Sequence, residues 1–449
     1  MGRLFGTDGI RGIANSELTC ELALQIGRAT AMVLSESDSK RLKVLIATDT
    51  RISSGMLKSA IAAGLCSVGA DVLELGVLPT PAVAYLVKKY GYDAGIMVSA
   101  SHNPCEYNGI KIFKSDGYKL PDELEERIET IILDSTILPD IKIGSDVGRI
   151  DLCDTAKADY IEHLLSTVDS DFSGIKIALD CANGSSAFTA RELFNQLGAD
   201  FKILSAVPDG ININLDCGST HIESLQKFVK ENKCDAGFAF DGDADRVIAV
   251  DENSDIVDGD KIVAICAVYL KSNNKLNKNT AAVTVMSNMG FHNFCSSQGI
   301  NVKVTAVGDR YVLESMLEGG YSVGGEQSGH VIFLDYATTG DGQLTAIQLL
   351  KILKESGKTL SELASEIEIF PQITQNVNVS NIGKVRYSSD DEIKKAIASA
   401  EAELGNSGRV LVRVSGTEPL VRVMVEGRNE KQIKRLADEI AAVIKERLI

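Results

Sequence analysis

The run Asp241-Gly242-Asp243-Ala244-Asp245-Arg246 follows the apolar segment Ala236–Phe240 and carries carboxylates at i, i+2 and i+4. A chain that curls there brings hard oxygen donors together, a set that suits Mg²⁺ or Ca²⁺. The same letters also read as a solvated acidic turn. An EF-hand is a specific rival, because Glu252 stands at the twelfth position counted from Asp241. That loop needs glycine at its sixth position, where Arg246 stands, and helices on both sides, where the flanks here are strand-like.

Three further blocks could do chemistry. Ser99-Ala100-Ser101-His102-Asn103-Pro104 follows the apolar stretch Ala94–Val98, at the strand end where α/β domains keep their sites. Ser101 beside His102 can be a nucleophile, although adjacency does not make the histidine its base; the block also reads as a turn with locally satisfied hydroxyls. Gly324-Gly325-Glu326-Gln327-Ser328-Gly329-His330 clears space with glycines and offers groups that read hydroxyls. Arg413-Val414-Ser415-Gly416-Thr417-Glu418-Pro419 joins two strands, and its backbone N–H groups and hydroxyls can face a phosphate. Arg413 and Arg422 add charge-assisted bonds. Plain Gly-rich turns are the alternatives for these two. Gly340-Asp341-Gly342 lacks the last glycine of a dinucleotide fingerprint, and no Walker A pattern occurs. His163, His221 and His292 have no ligand-like partners nearby in sequence.

The elements that must position these loops are legible in outline. Lys43–Thr48, Ile175–Asp180 and Ala281–Ser287 are short apolar runs. Each precedes a polar turn and a helical pattern, over Met56–Val68, Ala187–Leu197 and a short stretch after Asn288-Met289-Gly290. Three such β-α units predict three α/β domains of related build. The last part differs. Gln375–Val379, Arg409–Val414 and Leu420–Glu426 alternate as strands, and Asp390–Leu404 reads as a helix. A final helix starts near Asn429, with Ile433, Leu436, Ile440, Val443 and Ile444 on one stripe. Leu138–Arg149, Asp251–Asp258 and Glu366–Gln372 read as linkers. The expected domains are 1–150, 151–252, 253–368 and 369–449.

Composition excludes several classes. At roughly 150 residues per domain, 449 residues suggest three domains or four small ones. With 46 Lys+Arg against 62 Asp+Glu, the net charge of −16 speaks against nucleic acid or an anionic membrane as partner. No apolar run approaches the ~18–20 residues of a membrane span, no signal region opens the chain, and Gly6 stands where a myristoylation motif wants Ser or Thr. Nine widely spaced cysteines without a CxxC read as thiols in a reducing cytoplasm.

Combined, a candidate nucleophile, a cation loop, a sugar-reading turn and a phosphate turn lie one to a domain, the equipment for phosphoryl transfer to or from a polyhydroxy substrate. The chain resembles the α-D-phosphohexomutase family over its whole length. The blocks that carry the likeness are Phe5–Gly12, Ser99–Pro104 with Asn108–Lys111, Asp241–Arg246, Gly324–His330 and Arg413–Pro419. Phe5–Gly12, Val307–Tyr311, Glu326–His330 and Val421–Gly427 are similar to the branch that acts on glucosamine phosphates, while Cys105 and Val414 depart from the usual letters. The resemblance implies an α/β fold, with three mixed α/β domains and a C-terminal α+β domain around a central cleft. It implies a phosphoserine at Ser101 and one Mg²⁺ on Asp241, Asp243 and Asp245, with a phosphate oxygen on Ser101 as a further ligand. Arg11, His102, Lys111 and His330 would surround the reacting group, with Lys111 and His330 as candidates for proton transfer. Glu326, Gln327 and Ser328 would bind the sugar, Arg246 would support the metal loop and the substrate, and Arg413, Ser415, Gly416, Thr417 and Arg422 would hold the phosphate. The implied reaction interconverts glucosamine 6-phosphate and glucosamine 1-phosphate through a bisphosphate, feeding UDP-N-acetylglucosamine and cell-wall precursors. A cytoplasmic monomer or homodimer is expected. Glucose or mannose phosphates as substrates, a phosphatase, and a silent sugar-phosphate-binding protein are the alternatives.

Overall fold

The structure, a computed structural model, describes residues 3–6, 8–35, 41–134, 137–414 and 419–448. The chain forms two compact units, residues 1–286 with 299–365, and residues 287–298 with 366–449.

The first unit holds three sheets. One collects β1 (Phe5–Gly6), β2 (Gly9–Ile13), β3 (Lys43–Thr48), β4 (Asp71–Val77), β5 (Ala94–Val98), β6 (Tyr107–Lys114) and β7 (Ile150–Leu152), ordered β1-β2-β6-β5-β3-β4-β7. The next has β8 (Lys176–Asp180), β9 (Asp200–Leu204), β10 (Ala236–Phe240), β11 (Val247–Asp251) and β12 (Ile256–Val257), ordered β12-β11-β10-β8-β9. The third has β13 (Thr280–Thr284), β14 (Asn301–Thr305), β15 (Val323–Gly325) and β16 (Val331–Phe333), ordered β14-β13-β15-β16.

One four-strand plan recurs in all three. A central strand (β3, β8, β13) pairs in parallel with the two strands that follow it, and the second of these pairs antiparallel with a fourth. The central strands are apolar and buried on both faces, as parallel strands under helices must be. The related α/β build expected from the sequence is therefore present. It also has a consequence for chemistry. Ser101, Asp241–Arg246 and Glu326–His330 all lie in the connection between the third and fourth strands of this plan.

Helices Cys20–Ser35 and Ser54–Ser67 cover the first sheet. They approach so closely that a Cβ on Gly27 would lie 2.4 Å from the Ile61 carbonyl oxygen, and one on Gly64 2.2 Å from that of Leu24. Asp251–Asp258, expected as a linker, is instead a hairpin closed by the Asp251 N–H on the Asp255 carbonyl (3.0 Å), and it adds β12 to the second sheet.

The second unit is an antiparallel sheet of β17 (Gln372–Asn378), β18 (Gly408–Val414) and β19 (Leu420–Gly427), ordered β17-β19-β18. Helices Asp391–Leu404 and Glu430–Leu448 cover it, the latter burying Ile433, Leu436, Ile440 and Ile444, with Val443 half-buried. Asn429 caps that helix, its Oδ1 accepting from the N–H groups of Lys431 (3.1 Å) and Gln432 (3.2 Å). The helix Met289–Ser297, which joins β13 to β14 as the strand–turn–helix pattern expects, falls in this compact unit. The reason is polar: Asn288 Oδ1 accepts from both Gly290 and Phe370 N–H (2.9 Å each), and Glu426 accepts from Met289 N–H.

Candidate active site

Ser101 is buried, at φ +53°, in the left-handed region that side chains disfavour. Its hydroxyl donates to Asp241 Oδ2 at 2.6 Å, while His102 Nδ1 stands farther off at 3.4 Å. The carboxylate, rather than the adjacent histidine, thus receives the serine proton's hydrogen bond. His102 Nδ1 instead lies 3.2 Å from Arg246 Nη1, which can only donate, so this nitrogen accepts. Burial, then Arg246 and Arg11, pull the His102 imidazolium down to about 4, leaving a neutral ring at pH 7. Gly242 is where the two loops touch: a Cβ there would sit 2.6 Å from the Ser101 carbonyl oxygen.

Asp241, Asp243 and Asp245 are buried, and one oxygen of each lies within 4.8 Å of the others. Ala244 takes φ +55°, which curls the loop so that alternate carboxylates converge. Asp243 Oδ2 accepts from Thr80 Oγ1 (2.6 Å) and Lys111 Nζ (3.0 Å), and Asp245 Oδ2 accepts from Lys111 (3.2 Å). Asp243 Oδ1 and Asp245 Oδ1 are buried without a hydrogen-bond partner among the described residues. Burial, and then Asp245 and Asp243, push the Asp241 carboxyl well above the usual range. Burial acts the same way on Asp243, but contact with Lys111 overrides it and brings that carboxyl to about 2. Orphaned buried oxygens, crowded like charges and an all-carboxylate donor set fit a hard divalent cation.

Around this triad runs a chain of charges. Lys111 Nζ also lies 3.1 Å from Asp8; burial opposes its charge, but Asp243, Asp245 and Asp8 hold the ammonium well above its ordinary value. Asp8 pairs with Arg11 and Lys119, and Lys119 reaches Asp309 Oδ2 at 2.5 Å. His330 is buried, with Nε2 accepting from Gly340 N–H at 3.2 Å and standing 3.6 Å from Asp309. Nδ1 is buried with no hydrogen-bond partner among the described residues. Glu326 Oε1 accepts from Gly308 N–H at 3.3 Å, and burial raises its carboxyl. Ser328 is exposed, and Gln327 is turned to Asp258, with Nε2 3.3 Å from Oδ2.

The first unit therefore brings together Arg11, Ser101, His102, Lys111, the three aspartates and Arg246, and joins His330 to them through Asp309, Lys119 and Asp8. Sequence reasoning missed Thr80, Lys119, Asp49, Arg51 and Asn214. Asp8 and Asp309 sat inside quoted blocks and gave that much signal. In the second unit Arg413 and Arg422 stand directly opposite one another in the β18–β19 ladder. Burial, then Arg422, lower the Arg413 guanidinium, so a bound anion would relieve the pair. Ser415, Gly416 and Thr417 lie outside the described residues.

Four family profiles match in succession: Phosphoglucomutase/phosphomannomutase alpha/beta/alpha domain I over residues 2–137, domain II over 158–255, domain III over 258–370 and the C-terminal domain over 375–443. The chain belongs to the phosphoglucomutase/phosphomannomutase family. Among its members, the phosphoglucosamine mutase of Acetivibrio thermocellus is 54% identical over 448 residues, covering 100% of both chains. A solved phosphoglucomutase/phosphomannomutase family protein from Burkholderia thailandensis is similar at TM-score 0.82 and 25% identity, covering 100% of this chain and 98% of that one. The N-acetylphosphoglucosamine mutase of Aspergillus fumigatus, solved with GlcNAc-6P and magnesium, shares the fold at TM-score 0.70 and 18% identity, over 100% and 96% of the two chains. Among the described residues no helix of this family member is long and apolar enough to cross a membrane. Its nine cysteines, all among the described residues, form no disulfide.

Proposed function

We propose that this chain interconverts glucosamine 6-phosphate and glucosamine 1-phosphate through a phosphoserine at Ser101 and a hexosamine bisphosphate. The observation that carries the reading is the buried Ser101 hydroxyl 2.6 Å from a carboxylate of the Asp241–Asp245 triad. Full-length relatives named phosphoglucosamine mutase support the amino sugar as substrate.

In this reading phosphorylated Ser101 gives its phosphoryl group to the free hydroxyl of the incoming sugar phosphate. The P–O bond to Ser101 breaks as the bond to the sugar oxygen forms, and the hydroxyl proton leaves to a base. The bisphosphate turns over, and Ser101 takes back the other phosphoryl group. A divalent cation on Asp241, Asp243 and Asp245, taken here as Mg²⁺ from the hard oxygen set, supplies stabilisation of negative charge on the group in transfer. Lys111, held as an ammonium by its three carboxylate partners, places positive charge beside the group in transfer, and Arg11, whose Nε is buried without a hydrogen-bond partner among the described residues, offers it a donor. His330, with Nδ1 unpartnered among the described residues, is a candidate for proton transfer; Glu326 and Ser328 read sugar hydroxyls. Each of the four expected domains thus has one duty: phosphoserine, cation, sugar and remote phosphate.

The test is a coupled assay of glucosamine, glucose and mannose phosphates with a trace of each bisphosphate. Glucosamine 6-phosphate is expected to turn over fastest, and a faster rate on glucose or mannose phosphate would overturn the substrate assignment. A second expected result concerns the remote phosphate. Losing one charge-assisted bond costs about 1.5–3 kcal/mol, or roughly ten- to a hundredfold in affinity. Arg422→Ala should weaken both sugar phosphates alike in titrations and leave Ser101 phosphorylation intact. Weakening of one isomer alone would mean that the turn does not serve both orientations.

A further inference from the structure

The backbone around Ser101 is held by an assembly of buried polar side chains. Asp49 and Arg51 are buried side by side, with Arg51 Nε on Asp49 Oδ2 at 2.8 Å. The remaining guanidinium donors all go to carbonyls of the serine loop. Nη1 reaches those of Pro104 and Tyr107 (3.1 Å for Tyr107), and Nη2 those of Ser101 (3.0 Å) and Asn103 (2.8 Å). The five N–H donors of one arginine are thereby spent. From the neighbouring domain, Asn214 Nδ2 donates to the same two carbonyls, Ser101 (2.9 Å) and Asn103 (3.0 Å). The N–H side of Ser101 is held too: it donates to Ser99 Oγ (3.0 Å), which in turn donates to Asp49 Oδ2 (2.7 Å). Asp49 Oδ1 accepts from Arg51 N–H (3.0 Å) and Ser54 Oγ (2.8 Å).

Both ends of the Ser101 residue are thus tied to one carboxylate–guanidinium pair. A non-glycine residue at positive φ persists only where its surroundings over-determine it, and here they do. We infer that Asp49, Arg51 and Asn214 are positioning residues for phosphoryl transfer: they hold Ser101 in its left-handed conformation so that Oγ faces Asp241. This rests on the reading of Ser101 as the phosphorylated residue. None of the three touches the triad oxygens, so they act through Ser101. Asn214 also makes the loop's geometry depend on the neighbouring domain, and Thr50 Oγ1 on the Asn183 carbonyl (2.6 Å) and Ile52 N–H on that of Gly210 (2.8 Å) fasten the same segment there.

The experiment uses two variants of the full chain. Asn214 itself takes φ +59°, where glycine is at ease, so Asn214→Gly removes the two donors without straining the backbone. Arg51→Lys keeps the charge beside Asp49 but has three donors and no planar fork. Each protein is phosphorylated with the bisphosphate, and phosphoryl transfer to the sugar phosphate is followed in a single turnover. Sugar-phosphate affinity and melting temperature are measured alongside. A misplacement near 1 Å costs about a hundredfold in rate. Asn214→Gly is expected to transfer ten- to a hundredfold more slowly with affinity changed less than about twofold, and Arg51→Lys more slowly still. Transfer at the wild-type rate in a folded Asn214→Gly overturns the proposal. So does unfolding of both variants, or a fall in melting temperature with no fall in rate, since each assigns the residues to the fold alone. Absence of phosphate from Ser101 in the wild type would overturn the phosphoserine reading itself, and it is recognised before either variant is tested.

Discussion

Ser101→Ala is expected to abolish mutase turnover, by at least about four orders of magnitude, the scale on which loss of a covalent nucleophile is felt. The fold should survive. The residue sits in a loop whose backbone is held by Arg51, Asn214 and Ser99, and none of those bonds uses the serine hydroxyl. Alanine adds no bulk and is no worse than serine at positive φ. What disappears is the single hydrogen bond to Asp241, a change of about 1–3 kcal/mol at most in a buried carboxylate's surroundings. Intact-mass analysis of the wild type should show a fraction heavier by one phosphate, mapping to Ser101, and no such fraction in the variant. Sugar-phosphate binding should persist, because its anchors lie on other residues. Measurable turnover in Ser101→Ala, or a phosphate that maps elsewhere, would remove the covalent mechanism.

The second large effect is removal of the divalent cation. Exhaustive chelation should stop turnover, and Mg²⁺ should restore it. Asp243→Asn takes away one charged ligand and leaves Lys111 with Asp8 and Asp245 as its carboxylate partners. Cation affinity should fall by at least about tenfold, since even residues behind the direct ligands commonly cost that much. The readout need not be activity. Mg²⁺ should raise the melting temperature of the wild type and relieve the crowding of three buried carboxylates, and this shift should shrink in Asp243→Asn. A melting temperature that ignores Mg²⁺ in the wild type, together with full activity after chelation, would reduce the triad to a structural acidic loop.

The chemistry of the separate loops was legible because each is short and contiguous. Asp241, Asp243 and Asp245 converge through one local curl at Ala244, so their spacing offered a donor set as one of two readings, beside a solvated turn. The repeated strand–turn–helix pattern was legible for a related reason: burial on both faces forces apolar runs such as Lys43–Thr48. The pairing of the third and fourth strands was not, because nothing in a strand's own letters states its neighbour. That topology makes the three chemical loops equivalent positions of one plan.

Partners across long sequence separations were hidden in the same way. Ser101 and His102 adjoin in sequence, yet the hydroxyl bonds to Asp241, 140 residues away. Thr80 and Lys111 each meet Asp243 across more than a hundred residues, and Asn214 meets Ser101 from 113 away. A buried polar group is satisfied by whichever group the packed chain brings within about 3 Å, and periodicity carries no record of that. The helix Met289–Ser297 makes the same point for a whole element. It joins β13 to β14 as its local letters suggest, while Asn288 and Gly290 close on Phe370 and Glu368, contacts that those letters do not record. Residue types thus supplied the candidate groups for phosphoryl transfer. Burial and long-range hydrogen bonding decided which serine oxygen faces which carboxylate, because side-chain desolvation is compensated only by contacts that exist in the folded chain.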